Sequence, residues 1–297
     1  MHDPVLIAQY VLAGLVTGAI YALMAVGITF IYSIMKMINW SMGEFFMIGS
    51  YLQFFLIMGL LGSARWYLAV PVAMAAAGLL GVVIQRLLLR PMFVGMLERR
   101  DEYATIVTIA LSVFFRNLAV VAFGPYQFSP PDYFRPVQLG PLPLNGSRFV
   151  AFVGSLLLLS LFYLGIKRTW FGRALQGAAQ NRLGVQTAGI DLQRLDHMAF
   201  GIGVALAASA GALLAPVLLV HPENGSVATV KGFEIIVIGG LGSIPGSIVA
   251  GLLLGLVESL GTVLLSAAYR DVYGFALLIA ILVLRPWGLF GERERVA

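Results

Sequence analysis

The sequence predicts an all-α, polytopic transmembrane helical bundle, and three observations predict it. Only 11% of the 297 residues are charged and 60% are hydrophobic, whereas soluble domains carry about 25% charged residues. Apolar runs long enough to cross a bilayer recur along the whole chain, because a hydrocarbon core of about 30 Å takes about 20 residues of helix. The lysines and arginines collect in alternate connections between those runs. The mean hydropathy of +0.92 is spread over the full length, so lipid rather than water is the solvent most of the chain expects.

Taken in order, the predicted spans are 5–32, 45–61, 66–85, 103–123, 149–166, 198–220, 247–268 and 272–289. The first has no basic stretch ahead of it and runs 28 residues without a charge, too long for the apolar core of a signal peptide. Residues 233–241 are strongly apolar but only nine long, and they lead into Gly240-Leu241-Gly242-Ser243-Ile244-Pro245-Gly246. Glycine and proline at that density break a helix, and the freed backbone groups must be buried in protein or face a wet cavity. The expected architecture is therefore about eight full spans plus one short broken or re-entrant helix, in one transmembrane unit over residues 1–297.

Charge tests that topology. With the first residues outside and nine crossings, thirteen of the 19 Lys and Arg lie inside and five outside, Lys231 and Arg270 among the five, while Arg116 falls within a span. Basic residues favour the inner side, so the N-terminus is expected outside and the C-terminus inside. A re-entrant return at 233–246 would instead turn Arg293 and Arg295 outward. The long outside loop 124–148 holds six prolines and reads as a structured cap or as a spacer. Small-residue pairs one turn apart, Gly14 with Gly18, Ala207 with Gly211 and Gly251 with Gly255, let helix backbones approach closely.

Several chemistries are excluded. There is no cysteine, and His2, His197 and His221 are far apart and match no metal-binding spacing, so no metal or thiol site is expected. The net charge of +5 does not imply nucleic acid, since basic residues in a membrane chain chiefly set orientation. Ser160 and Ser209 lie near mid-span without a histidine or lysine partner in an adjacent span, which leaves no hydrolase set. Lys36, Lys167 and Lys231 are the only lysines and none sits in a phosphate-binding GxxxxGK[ST] frame, so the chain does not hydrolyse ATP by that route.

The polar residues that remain within or near the spans are candidates for function. Glu258 lies mid-span, where an ionised group costs about 2.5–3.5 kcal/mol on insertion scales; it reads as part of a permeation path or as a structural carboxylate. Arg116 is placed to snorkel to the outer surface, and Glu44 to cap the N-terminus of its helix. The segment 221–246 combines Glu223 and Asn224 with the glycines Gly239, Gly240 and Gly242. A broken helix of this kind offers backbone partial charges to a zwitterionic solute, or is merely kinked. The inside loop 167–196 is basic and helix-compatible, with Arg173, Ala174, Gln180 and Asn181 in it and a helix stop at Gly189. It suits docking of a soluble partner or serves only as a solvated topology signal.

The motifs in this loop and elsewhere are similar to those of a known family. Arg173-Ala174, Ala188-Gly189-Ile190, Ala199-Phe200, Ala210-Gly211-Ala212-Leu213, Tyr21 to Gly27, Ile38-Asn39, Gly43-Glu44, Gly239 to Gly246 and Arg285-Pro286-Trp287-Gly288-Leu289-Phe290-Gly291 resemble, in order and over essentially the whole chain, the permease subunits of branched-chain amino acid ABC transporters of the LivH and LivM type. The length and modest outside loops are closer to the LivH half. The resemblance implies a multi-pass protein of the bacterial inner membrane that forms a path for branched-chain or other neutral amino acids, or for urea and short amides. It also implies a second, LivM-like permease, two cytoplasmic ATP-binding subunits that hydrolyse the ATP, a periplasmic substrate-binding protein, and no cofactor in this chain. Arg173 to Gly189 would then be the coupling segment, with Gln180-Asn181 where relatives often carry an acidic residue. A proton-coupled secondary transporter using Glu258 is the alternative from another class.

Overall fold

The computed structural model describes residues 4–62, 65–94, 98–130, 137–139 and 142–291. The expectations resting on His2, Arg135, Arg293 and Arg295 lie outside those residues, as does part of the proline-rich loop. The helices are α1 (Pro4–Met35), α2 (Met42–Phe55, continued by a π-helical turn Leu56–Leu61), α3 (Trp66–Ile84, continued by Gln85–Leu89), the short α4 (Pro91–Val94), α5 (Arg100–Phe123), α6 (Gly146–Arg168), α7 (Trp170–Gln180), α8 (Arg182–Thr187), α9 (Leu192–Leu214), α10 (Asn224–Gly239), α11 (Ile244–Leu264) and α12 (Arg270–Leu284). Among the described residues, eight helical segments are long and apolar enough to cross a membrane. A small antiparallel pair, β1 (Val137–Leu139) and β2 (Leu142–Leu144), lies in the proline-rich loop. The chain is thus a polytopic helical bundle, as its hydropathy predicts.

Helices α1 and α9 form the centre, with most of their windows buried, whereas α5, α6 and α12 are largely exposed. Lipid gives no hydrophobic drive for helices to associate, so close packing must supply it. Glycine makes that possible: a Cβ on Gly18 would lie 2.8 Å from the Leu252 Cα, one on Gly255 2.4 Å from the Gly14 carbonyl, and one on Gly211 1.9 Å from the Phe46 carbonyl. The three small-residue pairs read from the sequence therefore sit at helix crossings. Thr29 and Ser247 add a hydroxyl–hydroxyl bond of 2.5 Å between α1 and α11.

Two connections shape the interior. At the end of α1, Lys36 has φ +52 and turns the chain back into the bundle. Residues 36–41 are non-helical, with Met37, Asn39 and Ser41 buried and Lys36, Ile38 and Trp40 exposed; such backbone is tolerated at membrane depth only against protein or a wet cavity. The Asn39 side chain holds this lead-in by accepting from the Ser41 backbone N–H at 3.0 Å and the Ser41 hydroxyl at 2.8 Å. Helix α2 accordingly begins beside Thr108, whose hydroxyl accepts from the Trp40 N–H at 3.3 Å.

The second connection corrects an expectation. The apolar stretch 233–241 is the end of a 16-residue helix, α10, about 24 Å long at 1.5 Å per residue. The glycine–proline cluster after it is a tight turn at the end of the bundle where α1 finishes, not an unwound point at mid-depth. Gly240 and Gly242 have φ +100 and +85, and a Cβ on Gly246 would lie 2.2 Å from the Gly239 carbonyl. Ser243 then caps α11 by accepting from the Gly246 N–H at 3.2 Å. The last carbonyls of α10 are capped from outside: Leu289 N–H donates to Ile238 O at 2.9 Å and Phe290 N–H to Gly239 O at 3.0 Å. The Arg285-to-Gly291 segment is a docking strap for that helix end.

The packing can be tested at a glycine. A side chain on Gly49 would place its Cβ 2.0 Å from the Ala208 carbonyl, whereas one on Gly59 meets nothing within 4 Å. Gly49→Val is expected to destabilise the bundle by about 1–3 kcal/mol and Gly59→Val by far less, read as unfolding midpoints of the detergent-solubilised protein.

Candidate functional site

Three polar constellations stand out in an otherwise apolar bundle. The first joins α10, α11 and α12. Lys231 is buried on α10, and its Nζ lies 2.7 Å from Glu258 Oε1, 3.2 Å from Glu234 Oε2 and 3.0 Å from Asp271 Oδ1. Arg270 Nε lies 2.9 Å from the other Glu258 oxygen. Glu234 and Glu258 are buried, while Asp271 is exposed and Arg270 half-exposed. Two cations and three carboxylates from three helices thus pair with each other, and the one charge in excess is negative, with Asp271 of the three carboxylates exposed. Of the two readings open for Glu258, this geometry favours the structural one, since both its oxygens are engaged by cations. Lys231 and Arg270, counted as outside-loop charges from the sequence, belong to this cluster. A hydropathy pass misses such a cluster because its members are far apart in sequence, and Lys231 with Glu234 reads as the polar flank of a short apolar run.

The second constellation is a stripe on α5. Thr108, Ser112 and Arg116 recur every fourth residue, on one face of the helix. Thr108 meets the Trp40 N–H, Ser112 donates to Glu44 Oε1 at 3.0 Å, and Arg116 pairs with Glu223. Arg116 therefore does not simply snorkel to the surface, and Glu44 does more than cap α2. It lies in the first turn of α2, as expected, but is buried, with the first turn of α10 close against it: a Cβ on Gly225 would lie 2.3 Å from its Oε2. The stripe was legible as an i, i+4, i+8 pattern of polar residues and was not read. Asn224, the first residue of α10, donates to the Leu219 carbonyl at 2.8 Å.

The third lies at the end of the bundle where α1 finishes. An open cavity of about 1180 Å³ is bounded by Tyr32 of α1 and Lys36 just after it, Gln176 and Gln180 of α7, Gly242 of the α10–α11 turn, and Trp287. Helix α7 is amphipathic, with Gly172, Ala174, Leu175 and Ala178 buried and Arg173 and Gln176 exposed. The Thr169 hydroxyl caps it by accepting from the Gly172 N–H at 3.0 Å. Asn181 likewise caps α8 through Gly184 N–H at 2.9 Å, and Gly189, at φ +81, ends that segment as expected. The segment is anchored by Arg182: its Nη2 lies 2.6 Å from Asp196 Oδ2, and its Nη1 donates to the Ile34 carbonyl at 3.0 Å. The sequence reading had given Arg182 no role beyond its charge.

A family model described as branched-chain amino acid transport system / permease component matches residues 10–282. The chain belongs to that permease family. It is 33% identical to the high-affinity branched-chain amino acid transport system permease protein LivH of Escherichia coli (strain K12), over 96% of each chain. Identity is 32% to LivH of Salmonella typhimurium and 32% to BraD of Pseudomonas aeruginosa, each again over 96% of both chains. No solved structure matches it.

In this permease, the residues singled out from the sequence divide among the three constellations. Glu223 belongs to the α5 stripe and Asn224 opens α10 beside it, while Gly239, Gly240 and Gly242 form the turn that reaches the cavity. Glu258 is held in the ionic cluster, and Arg173, Ala174, Gln180, Asn181 and Gly189 belong to the α7–α8 segment. Arg173 points outward and Ala174 into the bundle, so the two are not equivalent as contacts.

The cluster makes a sharp prediction. Removing one partner of a buried ion pair leaves uncompensated charge and destabilises by about 3–5 kcal/mol, so Lys231→Met is expected to lower stability by that amount. Combining it with Glu258→Gln removes part of the excess charge, and a double-mutant cycle on unfolding midpoints should give a combined loss smaller than the sum of the single losses.

Proposed function

We propose that this permease is one membrane subunit of an ATP-driven importer in a bacterial inner membrane, and that it forms part of the path for branched-chain or other neutral amino acids. The single observation that carries the reading is the family match over residues 10–282, which spans the first two constellations and all of the third except Trp287. In this reading the end of the bundle with α7, α8 and Trp287 faces the cytoplasm, in keeping with the basic residues collected there, Lys36, Lys167, Arg168, Arg173, Arg182 and Arg285. ATP-binding subunits grip the exposed face of α7–α8, a second permease completes the path, and a periplasmic binding protein delivers the solute at the opposite end.

Three features support it. The chain has no phosphate-binding loop, so ATP used through that motif would be hydrolysed on a separate subunit. The exposed face of α7–α8, which carries Arg173, Gln176, Gln180 and Gln186, borders the same cavity that the α10–α11 turn enters, which gives a docked partner a short mechanical route to the path. Arg182 makes that route stiff by tying α8 to the ends of α1 and α9. The proton-coupled alternative loses support because Glu258, its proposed ion site, is already paired with Lys231 and Arg270.

The test is ATP-dependent uptake of leucine against urea in proteoliposomes that contain this chain co-purified with its associated subunits. ATP-driven leucine uptake is expected, and a preference for urea would overturn the substrate assignment. Uptake that persists without ATP and collapses with the proton gradient would overturn the energy source. Arg173→Glu, confined to the exposed face of α7, is expected to lower uptake by about tenfold, equivalent to about 1.4 kcal/mol, with the chain still inserted at its normal level. Ala174 is unsuitable for this test because a larger side chain there would disturb the bundle itself.

A further inference from the structure

The α5 stripe brings opposite charges to one place without neutralising them fully. Arg116 and Glu223 pair but each side chain stays about half-exposed, at 47% and 50%. Arg116 is the seventeenth residue of the 24-residue α5, well inside a helix whose other exposed side chains are mostly apolar, among them Ile109, Val113 and Val121. Charged groups at such depth are expensive and mark places where a polar species is handled.

Glu44 supplies the second observation. It is 1% exposed. One oxygen accepts from Ser112, and among the described residues the other has no hydrogen-bond partner. That oxygen points at the first turn of α10, and Arg116 and Glu223 lie within electrostatic reach of the carboxylate. A carboxylate sitting in the first turn of its own helix and against that of another is favoured as an anion. Among the described residues no cation lies at contact distance from it.

We propose that Glu44, Ser112, Arg116 and Glu223 form a subsite that holds the zwitterionic head of an α-amino acid in passage. The ammonium sits between Glu44 and Glu223, the carboxylate on the Arg116 guanidinium, whose fork of donors matches it, and the side chain lies along the apolar remainder of α5. The solute enters by exchanging partners with the Arg116–Glu223 pair, so no charge is left bare during the exchange. This inference rests on the amino-acid transport reading and assigns the residues that discriminate the head group.

The test measures equilibrium binding of labelled leucine to the purified membrane complex with its second permease and ATP-binding subunits and without the periplasmic binding protein, with the amide and the α-hydroxy acid of leucine as competitors. Wild type is expected to prefer leucine over both. Glu44→Gln should weaken leucine binding about tenfold and abolish the preference over the hydroxy acid, which lacks the ammonium. Arg116→Gln should weaken it about tenfold and abolish the preference over the amide, while Arg116→Lys retains that preference; tenfold corresponds to one charged contact of the usual strength. Unchanged affinity and preference in either Gln variant would overturn the subsite. So would loss of binding in step with a fall in the unfolding midpoint, which makes the cluster a strut, or a wild-type complex that transports leucine yet does not distinguish the analogues. A wild-type complex without ATP-driven leucine uptake overturns the transport reading, and the subsite with it.

Discussion

Hydrocarbon offers no hydrogen bonds and no screening, and that constraint governs where every charge in this bundle can be. Lys231, Glu234 and Glu258 are buried deep among apolar helices, and each is tolerable only because the others are there. Their mutual neutralisation permits α10, a helix too short to span by itself, to lie embedded against α2, α11 and α12. Without the cluster, α10 would carry two naked charges into the membrane. With it, the helix is held in one orientation by contacts that have direction, which apolar packing in lipid does not supply.

The same constraint explains the two ends of α10. A helix terminus in a dry environment must have its open backbone groups satisfied. At the C-terminal end the Leu289 and Phe290 N–H groups do this, so the strap 285–291 belongs structurally to α10 although it follows α12 in sequence. At the N-terminal end the Glu44 carboxylate lies against the first turn. The glycines at 239, 240, 242 and 246 serve the turn between α10 and α11, where backbone atoms approach to distances that any side chain would forbid and two positive φ angles are required.

Much of this was legible in the sequence because it is one-dimensional information. Span number follows from hydropathy over windows of twenty residues, with limits good to a few residues except that α9 runs Leu192–Leu214 rather than 198–220 and α12 ends at Leu284 rather than 289, and the crossings at Gly14, Gly18, Gly211, Gly251 and Gly255 follow from four-residue spacing. The amphipathic α7 and its stop at Gly189 follow from local composition. The depth of the glycine–proline turn was not legible, because composition shows that a helix breaks but not where in the bundle the break falls. Nor was the full length of α10, since Lys231 reads as an outside-loop charge ahead of the apolar stretch 233–241 until Glu258, Arg270 and Asp271 are brought to it from other helices. Arg182 with Asp196 and Arg116 with Glu223 are missed for the same reason: an ion pair 14 or 107 residues apart in sequence leaves no local pattern. Thr108, Ser112 and Arg116 are different, since their periodicity was visible and only their partners were hidden.

The three constellations are also mechanically connected, and α1 is the connection. Its last turn is bonded to Arg182 of the α7–α8 segment, and its length is packed through Gly14 and Gly18 against α11, which carries Glu258. Helix α10, bound to Glu258 through Lys231, meets the side chains of Met24 and Ile28 of α1 at Gly232 and presents its first turn to Glu44. On the proposed function, a displacement of α7 by a docked partner is delivered to α1 by a hydrogen bond reinforced by the Arg182–Asp196 ion pair rather than by apolar contact alone, and from α1 it reaches α10 and α11 together. Because close-packed interfaces shift between discrete arrangements rather than deforming continuously, such a displacement would move α10 as a unit and carry its first turn relative to Glu44, Ser112 and Arg116. The polar groups nearest the proposed path are thereby the ones whose spacing depends most directly on what happens at the opposite end of the molecule.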